Sequence, residues 1–450
     1  MGTTFHSHHQ TTKPRYFFMK KLIPWTLYII LPLALLHLYL FPLSPSPPPN
    51  STSTTISDSS SSFTATTTTA AAASSSSSSS QEEVADELSQ QPPSWPPCNY
   101  SDGRWVPHSG EPLYRGTSCK TIKEGQNCMA HGRPDTGYLH WRWQPQHCPL
   151  PPFDPAAFLR LIENKHLAFV GDSMARNQLE SLLCLLATAS EPELVYRDGE
   201  DNKFRRWLFR DWNATVSVLW SPFLVKGDEK QEALGLNYNT LYLETADERW
   251  AAEVEAVDVV VFSFGHWYLH SAIYYENGVV LGCHACPEFN HTEIGFFDVF
   301  RKAVKTAFGE VSRRYGNADK LVVLTTFSPA HFEGEWDKAG ACPKTEPYKQ
   351  GEKEMQYMDA LMRRIEVEEA AEAEKGGGRV KFEALDVTEM ALLRPDGHPG
   401  PYMHPNPFAN GGGGGRVQND CVHWCLPGPI DAWNEIFLQI VRRWKKSEGK

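Results

Sequence analysis

Short apolar runs alternate with amphipathic segments after residue 150, and this alternation constrains the fold more than any other feature of the chain. The apolar runs with the length of buried strands are 166–170, 216–219, 257–264, 321–327 and 380–385. Apolar residues recur at helical spacing in the segments 156–164, 174–186, 296–314, 353–374 and 430–444. Strands that alternate with helices form right-handed crossovers. The pattern therefore predicts an α/β fold, with a mainly parallel sheet and helices on both faces.

The N-terminal region carries a membrane signal. An uncharged and mostly apolar stretch covers residues 22–43 and directly follows Lys20 and Lys21. About 20 apolar residues span a bilayer, and basic residues on the N-terminal flank keep that side in the cytosol. We therefore expect a cytosolic tail at residues 1–21 and one transmembrane signal anchor at residues 22–43. A cleaved signal peptide is the alternative, although the apolar stretch is longer than the usual hydrophobic region of such a peptide.

The next segment, residues 44–94, consists largely of Ser, Thr, Pro and Ala and includes an unbroken serine run at residues 74–80. Such a composition buries too little apolar surface to offset the entropy lost on ordering. We expect a disordered stem here, which holds a lumenal catalytic domain, residues 95–450, away from the bilayer.

All ten cysteines follow the predicted anchor, which agrees with a lumenal location. An even number of cysteines in a secretory protein indicates disulfides. Zinc is the alternative for Cys283-x-x-Cys286, but no clear second ligand pair surrounds this motif. We therefore expect disulfides and no metal. The sequons within the predicted lumenal domain, and hence the expected glycosylation sites, are Asn99, Asn213 and Asn290.

The overall charge limits the class of partner. The formal net charge is −11 and the pI is about 5.9. A nucleic-acid partner would require a clustered basic face to contact phosphates, and the sequence shows none. We therefore expect a neutral or small partner and no nucleic acid.

A serine stands where the first predicted strand ends and a helix begins. Gly171-Asp172-Ser173 directly follows the apolar run at residues 166–170. Ligands of open α/β sheets bind beyond the carboxyl ends of the strands, and a helix N-terminus offers free backbone N–H groups to a developing oxyanion. Ser173 is therefore a candidate nucleophile. An ordinary helix cap is the alternative, since Asp and Ser both form caps readily.

A second motif near the C-terminus supplies the other groups that a serine nucleophile needs. Asp420 and His423 are three residues apart, so a turn can bring the carboxylate to the imidazole. Asp420 would then orient His423, which would remove the proton from Ser173. A surface turn with a capping Asp is the alternative, but Cys421 and Cys425 would fix the backbone on both sides of the histidine.

Several motifs in the same order resemble the plant trichome-birefringence-like polysaccharide O-acetyltransferases. The matching segments, which lie between about residues 97 and 444, are GDSMARNQ (171–178), FGHW (264–267), TFSPAHFE (326–333), RPDGHP (394–399) and DCVHWCLPGPIDAWNE (420–435). The resemblance implies a single-pass type II Golgi membrane protein with an SGNH/GDSL-like α/β fold. It also implies a Ser-His-Asp triad that moves an acetyl group onto a hydroxyl of a cell-wall polysaccharide.

Carried over by motif, Ser173 would be the nucleophile, His423 the general base and Asp420 its orienting acid. Asp172 is the alternative acid, although its position beside Ser173 favours a cap. The candidate oxyanion donors are the backbone N–H groups of Ser173 and Gly265 and the side chains of Arg176 and Asn177. The candidates for the acceptor groove are His266, Trp267, His398 and Trp424. Ordinary core packing is the alternative for both tryptophans.

The resemblance also implies how the cysteines pair. The implied pairs are Cys98 with Cys148, Cys119 with Cys184, Cys128 with Cys425, Cys342 with Cys421, and Cys283 with Cys286. The cysteine positions alone would not select this connectivity.

The acceptor and the direction of transfer are less constrained by the motifs. The segments 274–286 and 396–402 look most similar to the xyloglucan-acetylating branch, while the mannan and xylan branches share many of these features. The triad alone fits a carbohydrate acetyl esterase equally well, because both enzymes form an acetyl-serine. A non-catalytic polysaccharide binder with the same fold is a third possibility. The chemistry requires no bound cofactor, only an acetyl donor as co-substrate, delivered directly or by an acetyl-supplying membrane protein.

Overall fold

The computed structural model describes residues 98–199, 203–231, 235, 237–408 and 416–448. The predicted cytosolic tail, signal anchor and stem lie outside these residues, so they stay predictions. Among the residues that the structure describes, no helix is both long enough and apolar enough to cross a membrane.

The strands of the described residues are β1 (Gly103–Pro107), β2 (Trp141–Pro145), β3 (His166–Gly171), β4 (Glu193–Asp198), β5 (Phe204–Phe209), β6 (Ala214–Trp220), β7 (Val225–Asp228), β8 (Asn239–Ala246), β9 (Val259–Ser263), β10 (Ala272–Glu276), β11 (Val279–His284), β12 (Leu321–Thr325) and β13 (Lys381–Leu385). The α-helices are α1 (Pro155–Leu161), α2 (Ser173–Leu186), α3 (Glu248–Ala251), α4 (Phe297–Tyr315), α5 (Tyr357–Lys375), α6 (Thr388–Leu392) and α7 (Asp431–Glu448). Short 3-10 turns cover Glu124–Gln126, Gly137–Leu139, Arg210–Trp212, Val254–Ala256, His266–Leu269, Pro395–Gly397 and Pro401–Met403.

The central sheet has seven strands in the order β13-β12-β9-β3-β6-β5-β4. The first five strands of this order are parallel to one another. These five correspond to the five apolar runs of the sequence, so the predicted α/β fold is confirmed. At the other edge, β5 pairs antiparallel with β6 and β4 pairs antiparallel with β5. The sequence analysis did not identify β4, whose residues are all exposed and therefore carry no burial pattern.

Helices cover both faces of this sheet, as predicted. Successive side chains of a strand point to opposite faces, and β3 shows the division. Leu167 and Phe169 pack into one buried cluster with side chains of α1, α2 and α7. Ala168 and Val170 pack into a second cluster with side chains of α4 and α5. Because both faces of β3 are buried, its sequence is a continuous apolar run rather than an alternating one.

Two smaller sheets were not predicted. The strands β11-β10-β8-β7 form a four-stranded sheet, and β1 pairs antiparallel with β2 to form a hairpin near the start of the described residues. The hairpin strands β1 and β2 are short and contain Arg, Gln and Pro, so their hydrophobic periodicity is too weak to predict strands.

Disulfides join segments that are distant in sequence. The structure pairs Cys98 with Cys148, Cys119 with Cys184, Cys128 with Cys425, Cys342 with Cys421, and Cys283 with Cys286. These are the pairs that the family resemblance implies. The bridge between Cys283 and Cys286 agrees with the expected disulfide at this motif.

One glycine at the end of β3 is required by the close approach of two strands. Gly171 has φ of 151°, and a Cβ there would lie 1.9 Å from the carbonyl oxygen of Ser263 on β9. We predict that Gly171→Ala lowers the free energy of unfolding by at least about 3 kcal/mol, because backbone atoms would have to move. Denaturant unfolding of purified protein measures this change.

The matched control is Gly309→Ala in α4, where a Cβ would meet no atom within 4 Å. Alanine should stabilise this exposed helical position by about 0.5–1 kcal/mol. Equal effects of the two substitutions would contradict the steric explanation for Gly171.

Candidate active site

The carboxyl ends of β3 and β9 bring two of the sequence motifs to one edge of the sheet. The strands are parallel neighbours, and Gly171 pairs with Ser263 in their register. The chain then continues into Asp172 and Ser173 after β3, and into Gly265 after β9. Ser173 is the first residue of α2 and is half-buried. It therefore lies where α/β sheets bind ligands, as the sequence analysis predicted.

Asp172 has a structural role at this edge. Its carboxylate is fully buried, accepting a hydrogen bond from the Met174 N–H (2.9 Å) and another from the Gly265 N–H (3.1 Å). Burial raises the pKa of Asp172 to about 6, although the hydrogen bond from Met174, the charge of His423 and the hydrogen bond from Gly265 oppose the rise. Asp172 thus caps α2 and ties it to the turn after β9, which fits the cap expected from the sequence.

The same contact corrects one assignment. The backbone N–H of Gly265 already donates to Asp172, and a backbone N–H has one proton to donate. The expected role of Gly265 as an oxyanion donor is therefore contradicted. Gly265 instead allows a close approach, since its φ is 140° and a Cβ would lie 2.9 Å from the Phe327 ring.

Asp420 and His423 form the pair that the sequence predicted. The His423 Nδ1 lies 2.7 Å from Oδ2 of Asp420. The other carboxylate oxygen accepts hydrogen bonds from the backbone N–H groups of Val422 (3.0 Å) and His423 (2.9 Å). A carboxylate at Nδ1 selects the tautomer with the proton on Nδ1. The Nε2 lone pair is then the base. This nitrogen is buried and has no hydrogen-bond partner among the described residues.

Electrostatics favour a charged form of this pair. Burial alone would lower the pKa of His423, but the charge of Asp420 and its hydrogen bond outweigh burial and raise it. Burial would likewise raise the pKa of Asp420, but the positive charge and hydrogen bonds of His423 hold it well below its usual range. Asp420 therefore stays ionised and stabilises the imidazolium that forms when His423 takes a proton.

Asn177 joins the serine helix to the histidine segment. It lies one turn after Ser173 in α2, and its Oδ1 accepts a hydrogen bond from the Trp424 N–H (2.7 Å). Its Nδ2 donates to the Trp424 carbonyl (3.2 Å). These two bonds fix the residue after His423 against the first turns of α2. The structure gives Asn177 a positioning role in place of the expected oxyanion role, because its Oδ1 and one Nδ2 proton are engaged with the Trp424 backbone.

Two candidates for the acceptor groove are buried instead. Trp424 is fully buried, its ring stacks on His398 at 4.2 Å, and its indole N–H donates to the hydroxyl of Ser328 (3.2 Å). His398 is 4% exposed, and its Nδ1 donates to the carbonyl of His423 (2.7 Å). Neither ring is accessible to a polysaccharide, so both assignments to the groove are contradicted. Core packing was the alternative stated for Trp424.

His331, which contacts His398, was not predicted as a site residue. His331 lies within the TFSPAHFE motif, and its Nδ1 is 2.7 Å from Nε2 of His398. Its backbone N–H donates to the carbonyl of Cys421 (3.0 Å). His331 and His398 therefore hold the backbone on both sides of Val422. A histidine within a motif was the only signal available, and it does not reveal a backbone partner.

The remaining two groove candidates are half-buried at the same edge. The ring of His266 stacks on Phe327 at 4.5 Å, and its two nitrogens are buried without a hydrogen-bond partner among the described residues. Burial, followed by the positive charge of His423, lowers the pKa of His266 to about 3, so this ring is neutral at physiological pH. Trp267 packs edge-on against Trp220 (5.7 Å) and Phe223 (5.9 Å). The assignment of His266 and Trp267 to the acceptor groove stays a prediction.

Arg176 brings a positive charge to the site. It is 8% exposed, its guanidinium lies over the Trp220 ring at 5.5 Å, and its charge acts on the pKa of His423. A buried guanidinium near His423 suits the stabilisation of a developing oxyanion. Arg176 and the Ser173 N–H are therefore the oxyanion candidates that the structure leaves in place.

The fold and this set of side chains are those of an SGNH-like acyl-transfer protein. Residues 150–440 match the GDSL/SGNH-like acyl-esterase family found in Pmr5 and Cas1p, and residues 96–149 match the PMR5 N-terminal domain. The chain belongs to this family.

Within this family, the chain is similar to several curated proteins. The chain is 57% identical over 449 residues to Xyloglucan O-acetyltransferase 1 of Populus trichocarpa, which covers 99% of this chain and 98% of that protein. It is 55% identical over 365 residues to Xyloglucan O-acetyltransferase 1 of Arabidopsis thaliana (81% and 85% covered). It is 44% identical over 352 residues to Protein trichome birefringence-like 25 of Arabidopsis thaliana (76% of each). The resemblance drawn from the motifs is confirmed.

The charge of Asp420 leads to a pH-dependent prediction. Asp420→Asn should lower the rate of acetyl-ester turnover by about 10⁴-fold, the loss typical of this substitution in a serine triad. Because Asp420 raises the pKa of His423, its removal should also move the acidic limb of the residual pH–rate profile to lower pH. Hydrolysis of 4-nitrophenyl acetate across pH 4–9 (about the range in which histidine titrates) measures both effects.

The exposed acid Asp211 provides the control for this experiment. Asp211→Asn should leave the rate and the profile unchanged. A normal rate in Asp420→Asn would show that another acid orients His423.

Asn177 should contribute to both stability and turnover. Asn177→Ala leaves the buried N–H and carbonyl of Trp424 without partners, at about 1–3 kcal/mol for each group. We predict a loss of unfolding free energy in that range and a fall in turnover of about 100-fold, because the reacting groups are no longer aligned. Thermal unfolding and the same ester assay measure the two effects, with Asn317→Ala at an exposed turn as the control. Lost turnover with full stability would instead restore the oxyanion role of Asn177.

Proposed function

We propose that this protein is a polysaccharide O-acetyltransferase that acetylates xyloglucan through an acetyl-serine intermediate. The observation that carries the chemistry is the hydrogen bond between Asp420 and His423, with the Nε2 lone pair left available as a base. The relatives named Xyloglucan O-acetyltransferase support the acceptor, since two match 99% of the chain at 56–57% identity and a third matches 81% at 55% identity.

In the first half-reaction, the Oγ of Ser173 attacks the carbonyl carbon of the acetyl donor while Nε2 of His423 takes the hydroxyl proton. The tetrahedral intermediate places a negative charge on the carbonyl oxygen, and the N–H of Ser173 and the guanidinium of Arg176 are the donors that would face it. When the intermediate collapses, the bond to the leaving group breaks and His423 returns its proton to that group. The product is an acetyl ester of Ser173.

In the second half-reaction, a sugar hydroxyl replaces the leaving group. His423 takes the proton of that hydroxyl as the sugar oxygen attacks the acetyl carbon. The bond between the acetyl carbon and Oγ of Ser173 then breaks, and His423 gives its proton to that Oγ, which releases the acetylated sugar and restores the serine. Through both halves, Asp420 remains ionised and stabilises the imidazolium. His266 and Trp267 would line the acceptor groove, with the half-buried ring of Trp267 presenting an aromatic face to the sugar C–H surface.

An acetyl esterase is the second candidate, because the matched family is described as acyl-esterase. The two activities differ only in the nucleophile that reaches the acetyl-serine, which is water in an esterase and a sugar hydroxyl in a transferase. The names of the relatives favour transfer.

The proposed location is the Golgi membrane. Residues 22–43 would anchor the chain as a single-pass type II protein, residues 44–94 would form the stem, and residues 95–450 would lie in the lumen. Disulfides and exposed sequon asparagines at Asn99, Asn213 and Asn290 suit an oxidising, glycosylating compartment. The acetyl group would come from a donor molecule or from a membrane protein that supplies it.

Mass spectrometry tests this proposal directly. Full-length protein in detergent is incubated with an acetyl donor and with oligosaccharides of xyloglucan, xylan or mannan. We expect the mass gain of one acetyl group on the xyloglucan oligosaccharide, and Ser173→Ala should lower its rate by at least about 10³-fold. Preferential acetylation of xylan or mannan would reassign the acceptor. Release of acetate from pre-acetylated sugar without transfer would select the esterase.

A further inference from the structure

A second concave site lies away from Ser173. It is a cavity of about 250 Å³ between the β1–β2 hairpin, the loop after Cys425 and the start of α7. We call it the distal cavity. Its apolar walls include Trp105, Trp141, Trp143, Leu139, Phe153 and Leu185.

The distal cavity is distinct from the active site. Ser173 begins α2, whereas Leu185 lines the cavity from near the other end of the same helix. Twelve residues of α-helix separate their Cα atoms by about 18 Å. A single sugar ring bound at Ser173 would not reach this distance.

Two buried polar groups at the cavity lack partners. The hydroxyl of Tyr138, a residue that is 1% exposed, has no hydrogen-bond partner among the described residues, and the same holds for Oε2 of Glu435. Both residues line the cavity. A buried polar atom without a partner costs about 1–3 kcal/mol. Their pairing with an incoming ligand would recover that free energy.

Asp431, by contrast, is already satisfied. One of its oxygens accepts hydrogen bonds from the hydroxyls of Tyr114 (2.8 Å) and Ser181 (2.5 Å), and the other accepts from the Gly428 N–H (3.1 Å). Asp431 therefore fixes the cavity wall, and Tyr138 and Glu435 are the groups left to bind a ligand.

The charges around the cavity indicate a neutral ligand. The lining acids Asp431 and Glu435 stand beside two guanidinium groups, Arg142 and Arg394. The third lining acid, Glu111, is exposed and lies 3.7 Å from Arg115, which is outside the lining. Arg394 lies over the Trp105 ring at 4.4 Å and is paired with Asp396, so a cationic ligand would find that aromatic face occupied. Burial raises the pKa of Glu435 to about 7, and the charge of Arg142 opposes the rise. Near neutral pH, Glu435 can therefore donate as well as accept a hydrogen bond.

Aromatic faces beside unpaired hydroxyl and carboxyl groups match the chemistry of a sugar ring. The ring presents apolar C–H surface to an aromatic face and hydroxyls to polar groups. The volume lies just below the range of about 300–1,000 Å³ typical of drug-sized ligands, which suits one ring rather than several.

We propose that the distal cavity binds one neutral sugar unit, with Trp141 as the aromatic contact and Tyr138 and Glu435 as the hydrogen-bonding groups. In the enzyme, this sugar unit is part of the acceptor polysaccharide, and its binding retains the polymer while another sugar of the same polymer reacts at Ser173. The link to the acceptor rests on the proposed function.

The binding test uses full-length Ser173→Ala protein, so it does not depend on catalysis. Native gels that contain xyloglucan, xylan, mannan or no polymer measure how strongly each glycan retards the protein. We expect Glu435→Gln and Trp141→Ala to lower the apparent affinity for the retarding polymer by at least 5-fold, roughly 1 kcal/mol. The control is Glu372→Gln, an exposed acid of α5, which should have no effect.

The kinetic test uses the same substitutions with Ser173 intact. For polymer, KM should rise by the same factor, while kcat with a short oligosaccharide that cannot span both sites should stay within about 2-fold of wild type, because Ser173 and His423 are untouched. Unfolding temperatures identify any variant that misfolds, and Glu435→Gln preserves the shape of the side chain.

Unchanged retardation and unchanged KM in both variants would overturn the proposal and leave a cavity that holds water only. If xylan or mannan retards the protein instead of xyloglucan, and the variants weaken that retardation, the sugar site would be supported and the acceptor would be corrected to that glycan. A wild-type protein without transferase activity would refute the proposed function but would not affect the gel result.

Discussion

The active site depends on the pair of hydrogen bonds between the Asn177 amide and the Trp424 backbone. These residues are 247 positions apart, and no sequence-local force brings them together. The helix that begins at Ser173 is held by packing on the central sheet. The segment with His423 is an irregular loop, so its position depends on contacts with such ordered elements. Asn177 provides such a contact, because its amide pairs with both the N–H and the carbonyl of Trp424. The position of the His423 segment relative to the start of α2 therefore depends on this amide.

Covalent and aromatic contacts complete this positioning. Disulfides at Cys421 and Cys425 fix the backbone two residues before and two residues after His423, and their partners, Cys342 and Cys128, come from different parts of the chain. Beneath the loop, His398 donates to the carbonyl of His423 and stacks on Trp424. The loop thus lacks regular secondary structure but is held at nearly every residue. Rigid support of this kind keeps reacting groups within the narrow geometric tolerance that catalysis requires.

Sequence reasoning succeeded where the signal was local and failed where it was tertiary. The five parallel strands were predicted because burial on both faces leaves a continuous apolar run, as in β3. Asp420 and His423 were predicted because their contact spans only three residues. Gly265, Asn177, His398 and Trp424 were assigned to substrate or oxyanion, whereas each has a structural partner far along the chain. A motif indicates that a polar residue makes a specific contact. The type of that residue does not show whether its partner is a ligand or the protein's own backbone.

The pairing of Cys128 with Cys425 has a consequence for biosynthesis. The two cysteines are 297 residues apart, and the second lies 25 residues before the C-terminus. During vectorial synthesis, Ser173 and its helix emerge long before His423, while the Cys128 thiol waits for a partner that has not yet been translated. A chain that ends before Asp420 therefore keeps Ser173 but lacks both the Asp420–His423 pair and the disulfide partner of Cys128.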